Sequence, residues 1–195
     1  MKIQISGHDP SMSNWGIANG TIDTRTLEVE ITEFFITKTK SEKGKVVRAN
    51  SDDLRRASEL REGAMKAIED AQMVFVEVPH GSQSARAMAS YGVCVGVLSA
   101  IDKPLIQVTA GEVKKIVGKK DPLQKGAATK REMIDWAMKM QPNAPWKMKK
   151  IKGELSSVDG VNEHLADAII AIYAGIKTEQ FKNILNVVTK LSVAA

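Results

Sequence analysis

The spacing of apolar and polar residues divides the chain into a strand-rich first part and a helix-rich remainder. Met1–His8 reads as a strand with Ile3, Ile5 and Gly7 on one face, broken by Asp9-Pro10-Ser11. Trp15–Ile22 and Leu27–Thr37 read as two more strands of a meander, the second carrying the β-branched and aromatic run EVEITEFFI. A charged, glycine-containing connection covers 38–50. Beyond it, Leu54, Ala57, Leu60, Ala64, Ala67, Ile68 and Ala71 recur at helical spacing, with Ser51 as the expected cap. Met73–Val78 (MVFVEV) is apolar except for Glu77, and a strand apolar on both faces belongs inside a parallel arrangement covered by helices. Helices are expected over Ser82–Ile101, Ala110–Val117, Thr129–Met140 (capped by Thr129), Val161–Ile176 and Glu179–Leu191, and a further strand over Pro104–Thr109. Gly118–Ala128 and Gln141–Ser157 read as loops. Three strands and a helix, followed by alternating strand and helix, predict an α/β protein with a mixed sheet and helices on its faces.

At 195 residues the chain reads as one domain over 1–195, with 178–195 as a C-terminal helical extension. Its 43% hydrophobic content suffices for a buried core and argues against disorder. No stretch approaches the roughly 18 apolar residues of a membrane span. The opening MKIQISGHDP turns polar within six residues, unlike a secretory signal. The single cysteine, Cys94, excludes an internal disulfide and a Cys-rich zinc site; it reads as a small core hydrophobe, and a cytoplasmic location is expected. Charge changes the picture more. Residues 111–152 hold 12 Lys/Arg against 4 Asp/Glu, a net of +8 within a chain of +5, so the remainder sums to −3. A concentrated basic segment on a near-neutral body suits a polyanionic partner.

Four residues then carry candidate chemistry. Glu77 sits in an apolar strand, where a carboxylate is costly without a partner that a divalent cation would supply. Asp9 follows the first strand, at the carboxyl end where open α/β sheets place their ligand sites. His164 and Asp167, three residues apart, share a helix face just before the uncharged run AIIAIYAGI. Glu163 is a further possible ligand, about 100° round the helix from His164. Two metals about 4 Å apart need several oxygen ligands converging from separate elements, with one cation activating water and the other stabilising the leaving oxygen. Oxygen ligands with one imidazole suit Mg²⁺, with Mn²⁺ as a substitute, better than zinc.

In order and spacing these motifs resemble the RuvC family of Holliday-junction resolvases, RNase H-like nucleases, including phage-type members. GHDPSMSNWGIA is similar to the family's opening strand, Asp-Pro turn and following Gly, here Asp9, Pro10 and Gly16. VFVEVPHGSQSA is similar to its second acid motif through Glu77, and ARAMASYGVCVGVLSA to the small-residue helix after it. LIQVTAGEVKKIVG resembles the strand and Lys-bearing helix, and EHLADAIIAI the closing motif through His164 and Asp167. The resemblance spans roughly residues 1–177. It implies an RNase H-like mixed five-stranded sheet with helices on both faces. It also implies two Mg²⁺ ions held by Asp9, Glu77, His164 and Asp167, and four-way DNA junctions opened by two symmetric nicks leaving 5′-phosphate ends. Ser11 stands where the family commonly has Gly, and His8 where it has an apolar strand residue. His80 stands where cellular members carry an aromatic wedge.

Lys114, Lys115, Lys119, Lys120, Lys125 and Lys130 are expected to contact DNA phosphates, which position DNA without reading its sequence. By resemblance, Lys114 or Lys115 and Lys119 or Lys120 correspond to family lysines near the scissile phosphate, and His80 is a further candidate DNA contact. Trp146 reads as an anchor for its loop or a stacking platform. Gly92, Gly96 and Ala100, at i, i+4 and i+8, permit another helix to approach closely. The intrachain reading is packing on the sheet; resemblance favours a homodimer, whose two-fold symmetry would match that of the junction. The alternatives are a related RNase H-like nuclease acting on RNA or other branched DNA, a non-catalytic junction-binding protein, and an actin-like phosphotransferase, for whose two lobes the chain is short.

Overall fold

The computed structural model describes residues 1–42, 48–118, 128–151 and 154–193, with backbone alone at 151, 154, 155 and 189–193. Part of the 38–50 connection, most of the Gly118–Ala128 loop, and with it Lys119, Lys120 and Lys125, lie outside the described residues. The elements run β1 (Lys2–Asp9), β2 (Asn14–Asp23), β3 (Val29–Lys38), α1 (Ala49–Ala67), β4 (Met73–Glu77), α2 (Ala85–Ser99), β5 (Leu105–Val108), α3 (Ala110–Val117) and α4 (Lys130–Met140). They close with β6 (Met148–Ile151), β7 (Glu154–Ser157), α5 (Asp159–Gly175) and α6 (Glu179–Val193).

The five-stranded sheet has the order β3-β2-β1-β4-β5. β1, β2 and β3 form the expected antiparallel meander, and β1, β4 and β5 run parallel. Side chains alternate between faces along each strand. Ile3, Ile5, Met73 and Phe75 pack into one layer with Ile134, Ile169, Ile172 and Phe181 from α4, α5 and α6. Ile17, Val74 and Val76 face the other layer, with Leu60, Ala64, Cys94, Val97 and Leu98 from α1 and α2. Both faces are therefore covered, as the sequence predicts. Cys94 is a free, buried core residue.

α5 is the central helix, with ten buried residues between Asn162 and Gly175. It lies so close to the sheet that side chains are missing beneath it. A Cβ on Gly7 of β1 would overlap the carbonyl oxygen of Ala168, and one on Gly16 of β2 would lie 2.5 Å from that of His164. α3 and α4 start where sequence signals place them, behind capping boxes formed by Thr109 with Glu112 and Thr129 with Glu132. α6 docks through Phe181, whose ring lies 5.6 Å from that of Phe75.

The structure departs from expectation in two places. α1 begins at Ala49 after Arg48, so Ser51 lies inside the first turn rather than capping it. Its buried stripe is Asp52, Arg56, Leu60, Ala64 and Ala67, which leaves Leu54 70% exposed. Arg56 can be buried because acceptors meet it: Nε donates to Thr39 Oγ1 (2.8 Å), and Nη2 to the Met12 carbonyl (2.9 Å) and Ser13 Oγ (3.2 Å). Secondly, Gln141–Ser157 is not all loop, because it contains the β6–β7 hairpin. The pairing is local, and its Lys-rich strand lacks the alternation that marks a half-buried strand.

Substituting Gly16→Ala forces α5 off β2. We expect a loss of about 1–3 kcal/mol in urea-unfolding stability, typical of overpacking.

Candidate metal centre

In the β1–β4 pairing the last matched residues are His8 and Val76, so Asp9 and Glu77 end neighbouring parallel strands side by side. Alternation puts both on the face that α5 covers, since Gly7 two residues earlier lies against Ala168. α5 brings His164 and Asp167 down onto the same corner. Sequence spacing places these four residues on three elements, and the fold brings them together.

His164 Nδ1 lies 2.8 Å from Asp9 Oδ2, and its Nε2 lies 3.6 Å from Glu163 Oε1. The bond to Asp9 raises the imidazole's pKa, against burial. Glu163 in turn receives Lys130 Nζ at 2.9 Å. Glu77 and Asp167, by contrast, have no hydrogen-bond or ion-pair partner among the described residues. Burial pushes Glu77 up to about 7, with Asp9's charge adding to the rise and Lys114 drawing it down. Burial likewise pushes Asp167 up to about 8, reinforced by the charges of Asp9 and Glu77 and opposed by His164. The corner thus gathers more negative charge than its side chains neutralise, which is what a divalent cation would relieve. Among the described residues no three His, Cys, Asp or Glu side chains converge tightly enough to form a ready-made cage. The donor set nevertheless fits a hard divalent cation: three carboxylates, two of them unpartnered, and one imidazole.

The remaining expected positions divide. Lys114 lies near enough to Glu77 for its charge to draw that carboxyl's pKa down. Lys115 lines a small hollow with Ala174 and Lys177, at the opposite end of α5 and roughly 15 Å along the helix from His164. Lys130 is engaged by Glu163 beside the site. His80 is exposed in the segment between β4 and α2. Gly92 and Gly96 face open space on α2, with no atom within 4 Å of where a Cβ would stand, so they do not pack on the sheet. Trp146 is an anchor: its Nε1 donates to the Gln141 carbonyl (2.8 Å) and its ring lies 5.0 Å from that of Phe34.

Sequence reasoning missed the groups that hold β1 and its following turn. His8 is fully buried on the face opposite Asp9, and burial lowers its pKa to about 3, so it is neutral. Trp15 Nε1 donates to its Nδ1 (3.1 Å), leaving Nε2–H to donate to Ser6 Oγ (2.9 Å). Ser6 donates to Asn19 Oδ1 (2.6 Å), and Asn19 Nδ2 to the Ala67 carbonyl (2.6 Å). Arg56 and Thr39 hold the Met12 carbonyl in the turn after Asp9. No periodicity announces a polar chain of this kind, and a lone strand histidine is the only sequence trace of it.

Comparison with known proteins defines the class at the level of fold: this is a RuvC-like, RNase H-like architecture. RuvC from Thermus thermophilus superposes with a TM-score of 0.59 at 16% identity, covering 89% of this chain and 95% of that one. The T. thermophilus RuvC in complex with Holliday junction substrate gives 0.57 at 16% identity, covering 89% and 96%. A Fowlpox virus resolvase with substrate Holliday junction DNA gives 0.46 at 12% identity, which carries no weight for the fold. No family model and no curated protein sequence matches the chain.

The two raised carboxylates have a consequence for stability. An acid whose pKa rises on folding contributes stability that is complete below its unfolded value, near 4 here, and is lost as pH climbs through the folded values of about 7 and 8. In EDTA the protein should therefore lose this contribution between about pH 4 and pH 8. Asp167→Asn should raise stability at pH 8 by about 1–3 kcal/mol, or roughly 2–10 °C in Tm, with a smaller gain at pH 5. Calorimetry at the two pH values checks this.

Proposed function

We propose that the chain is a structure-selective, divalent-metal-dependent endonuclease that resolves four-way DNA junctions. The observation that carries this reading is the pair of carboxylates without a partner among the described residues, Glu77 and Asp167, beside Asp9 and His164 at one end of the parallel strands. The fold shared with a RuvC that has been determined in complex with Holliday junction substrate supports junction DNA as the substrate.

Asp9, Glu77, His164 and Asp167 would hold two Mg²⁺ ions, with Mn²⁺ able to substitute; when bound, these supply an activated water and neutralise charge on the leaving oxygen. The protein's own part is placement. β1 and β4 hold two carboxylates in register, and α5 delivers the other two ligands from above. The neutral form of His164 is the one able to ligate, so its nitrogen must release any second proton. Lys114 stands beside Glu77, where its charge can hold an incoming phosphate. The new bond joins the water oxygen to phosphorus, the bond from phosphorus to the 3′ oxygen breaks, and a proton ends on that oxygen. The products carry 5′-phosphate and 3′-hydroxyl ends.

A homodimer would present two such sites for two symmetric nicks. Support comes from α2, where Gly92 and Gly96 face open space beside Val95, which is 43% exposed, and Met88, 45% exposed. This apolar, small-residue face suits a second copy of the helix. Sedimentation should give a dimer mass for the wild type and a monomer mass for Val95→Glu.

A labelled synthetic four-way junction, with linear duplex, single-stranded DNA and RNA controls, tests the activity. Paired symmetric nicks in the junction alone are expected in Mg²⁺. They should vanish in EDTA and fall by at least about 10²-fold in Asp9→Asn. Binding without cleavage in Mg²⁺ or Mn²⁺ would make the protein a junction binder instead, and cleavage of RNA alone would reassign the substrate.

A further inference from the structure

The β6–β7 ribbon stands outside the five-stranded sheet and pairs only with itself. Two-stranded ribbons are marginally stable alone, so what holds this one is informative. Its base is pinned by Asn162, a fully buried residue in the first turn of α5. Asn162 Nδ2 donates to the Lys147 carbonyl (2.8 Å) and to Ser157 Oγ (2.9 Å), and its Oδ1 accepts from the Lys147 amide (3.1 Å). The Val158 amide also donates to the Lys147 carbonyl (3.0 Å). One side chain thus grips both strands of the ribbon two residues before His164.

Beyond this anchor the described side chains of the first strand stand in solvent. Lys147, Met148, Lys149 and Lys150 are all exposed, and none of the three lysines makes an ion pair among the described residues. Their cross-strand partners give no countercharge: Lys149 faces Ser156 and Lys150 faces Leu155. Alternation puts Lys149 on one face and Lys150 on the other, so each face of the ribbon presents a lysine. Four strand residues extend about 13 Å, the axial length of about four nucleotides of one DNA strand.

We propose that the β6–β7 hairpin is a DNA-gripping arm. Lys147, Lys149 and Lys150 hold the phosphate backbone of a duplex arm as it leaves the metal centre, and Asn162 fixes the arm to the helix that carries His164 and Asp167. The inference rests on the nuclease reading above and deepens it by assigning a binding element to a segment that sequence analysis reads as loop. The lysines give affinity and register and take no part in bond breaking.

The test compares wild type with K147Q/K149Q/K150Q and with the charge-preserving K147R/K149R/K150R. Junction affinity is measured in EDTA over a salt series, and single-turnover cleavage in Mg²⁺ at saturating protein. The glutamine variant should bind about tenfold or more weakly, with a log–log salt slope shallower by about 2–3. Its cleavage rate at saturation should stay within about twofold of wild type, and the arginine variant should restore affinity. Neutral methylphosphonate linkages placed within about four nucleotides of the nick should weaken wild-type binding and leave the glutamine variant unaffected. A glutamine variant with wild-type affinity and slope overturns the arm while leaving the nuclease reading intact. Equal weakening of both proteins by the neutral linkages likewise overturns it. A wild type that binds neither junction nor duplex overturns both readings together.

Discussion

The closeness of α5 to the sheet is the constraint on which the site depends. His164 and Asp167 reach Asp9 and Glu77 because Gly7 and Gly16 leave no Cβ between helix and strands. The same helix supplies the largest share of buried side chains and is uncharged from Ala168 to Ile176. Its apolar length is held by the core, and its first turns carry every polar group it brings to the corner. Stability and ligand placement are therefore properties of one packing contact.

That contact concentrates carboxylates beyond what neighbouring cations neutralise. Lys130 is committed to Glu163, and Lys114 offsets Glu77 only in part. A core built for stability alone would not place Asp167 where both Asp9 and Glu77 repel it. The corner is locally frustrated, a charge balance that a ligand of opposite sign would relieve. Elsewhere the large buried polar side chains find partners: Arg56 in Thr39, Met12 and Ser13, and Asn162 in the ribbon base.

Much of this was legible in the sequence, for identifiable reasons. The β-branched meander, the run MVFVEV, apolar except for Glu77, and the uncharged length of α5 stand out in the sequence, and Thr129 announces α4 by capping chemistry. The convergence of Asp9, Glu77, His164 and Asp167 could be suspected because a polar residue interrupting an apolar element asks for an explanation. The rotation of α1 was not, because Arg56 occupies a position that hydrophobic spacing assigns to the exterior. Nor was the β6–β7 ribbon, whose strands are four residues each and whose anchor, Asn162, lies in a different element. Of the adjacent Lys114 and Lys115, only the folded helix shows which one acts on Glu77 by its charge.

The polar chain behind β1 has a consequence for how this protein can vary. From the Trp15 indole through His8, Ser6 and Asn19 to the Ala67 carbonyl, each donor finds one acceptor and all the bonds run in one direction. Replacing any single member by an apolar residue strands a buried neighbour, at a cost of about 1–3 kcal/mol, whereas exchanging the whole set together is nearly neutral. Positions 6, 8, 15 and 19 are thus bound into one inherited unit. Single substitutions at these positions are therefore costly where concerted ones are not, so His8, beside Asp9, can be exchanged only together with its partners.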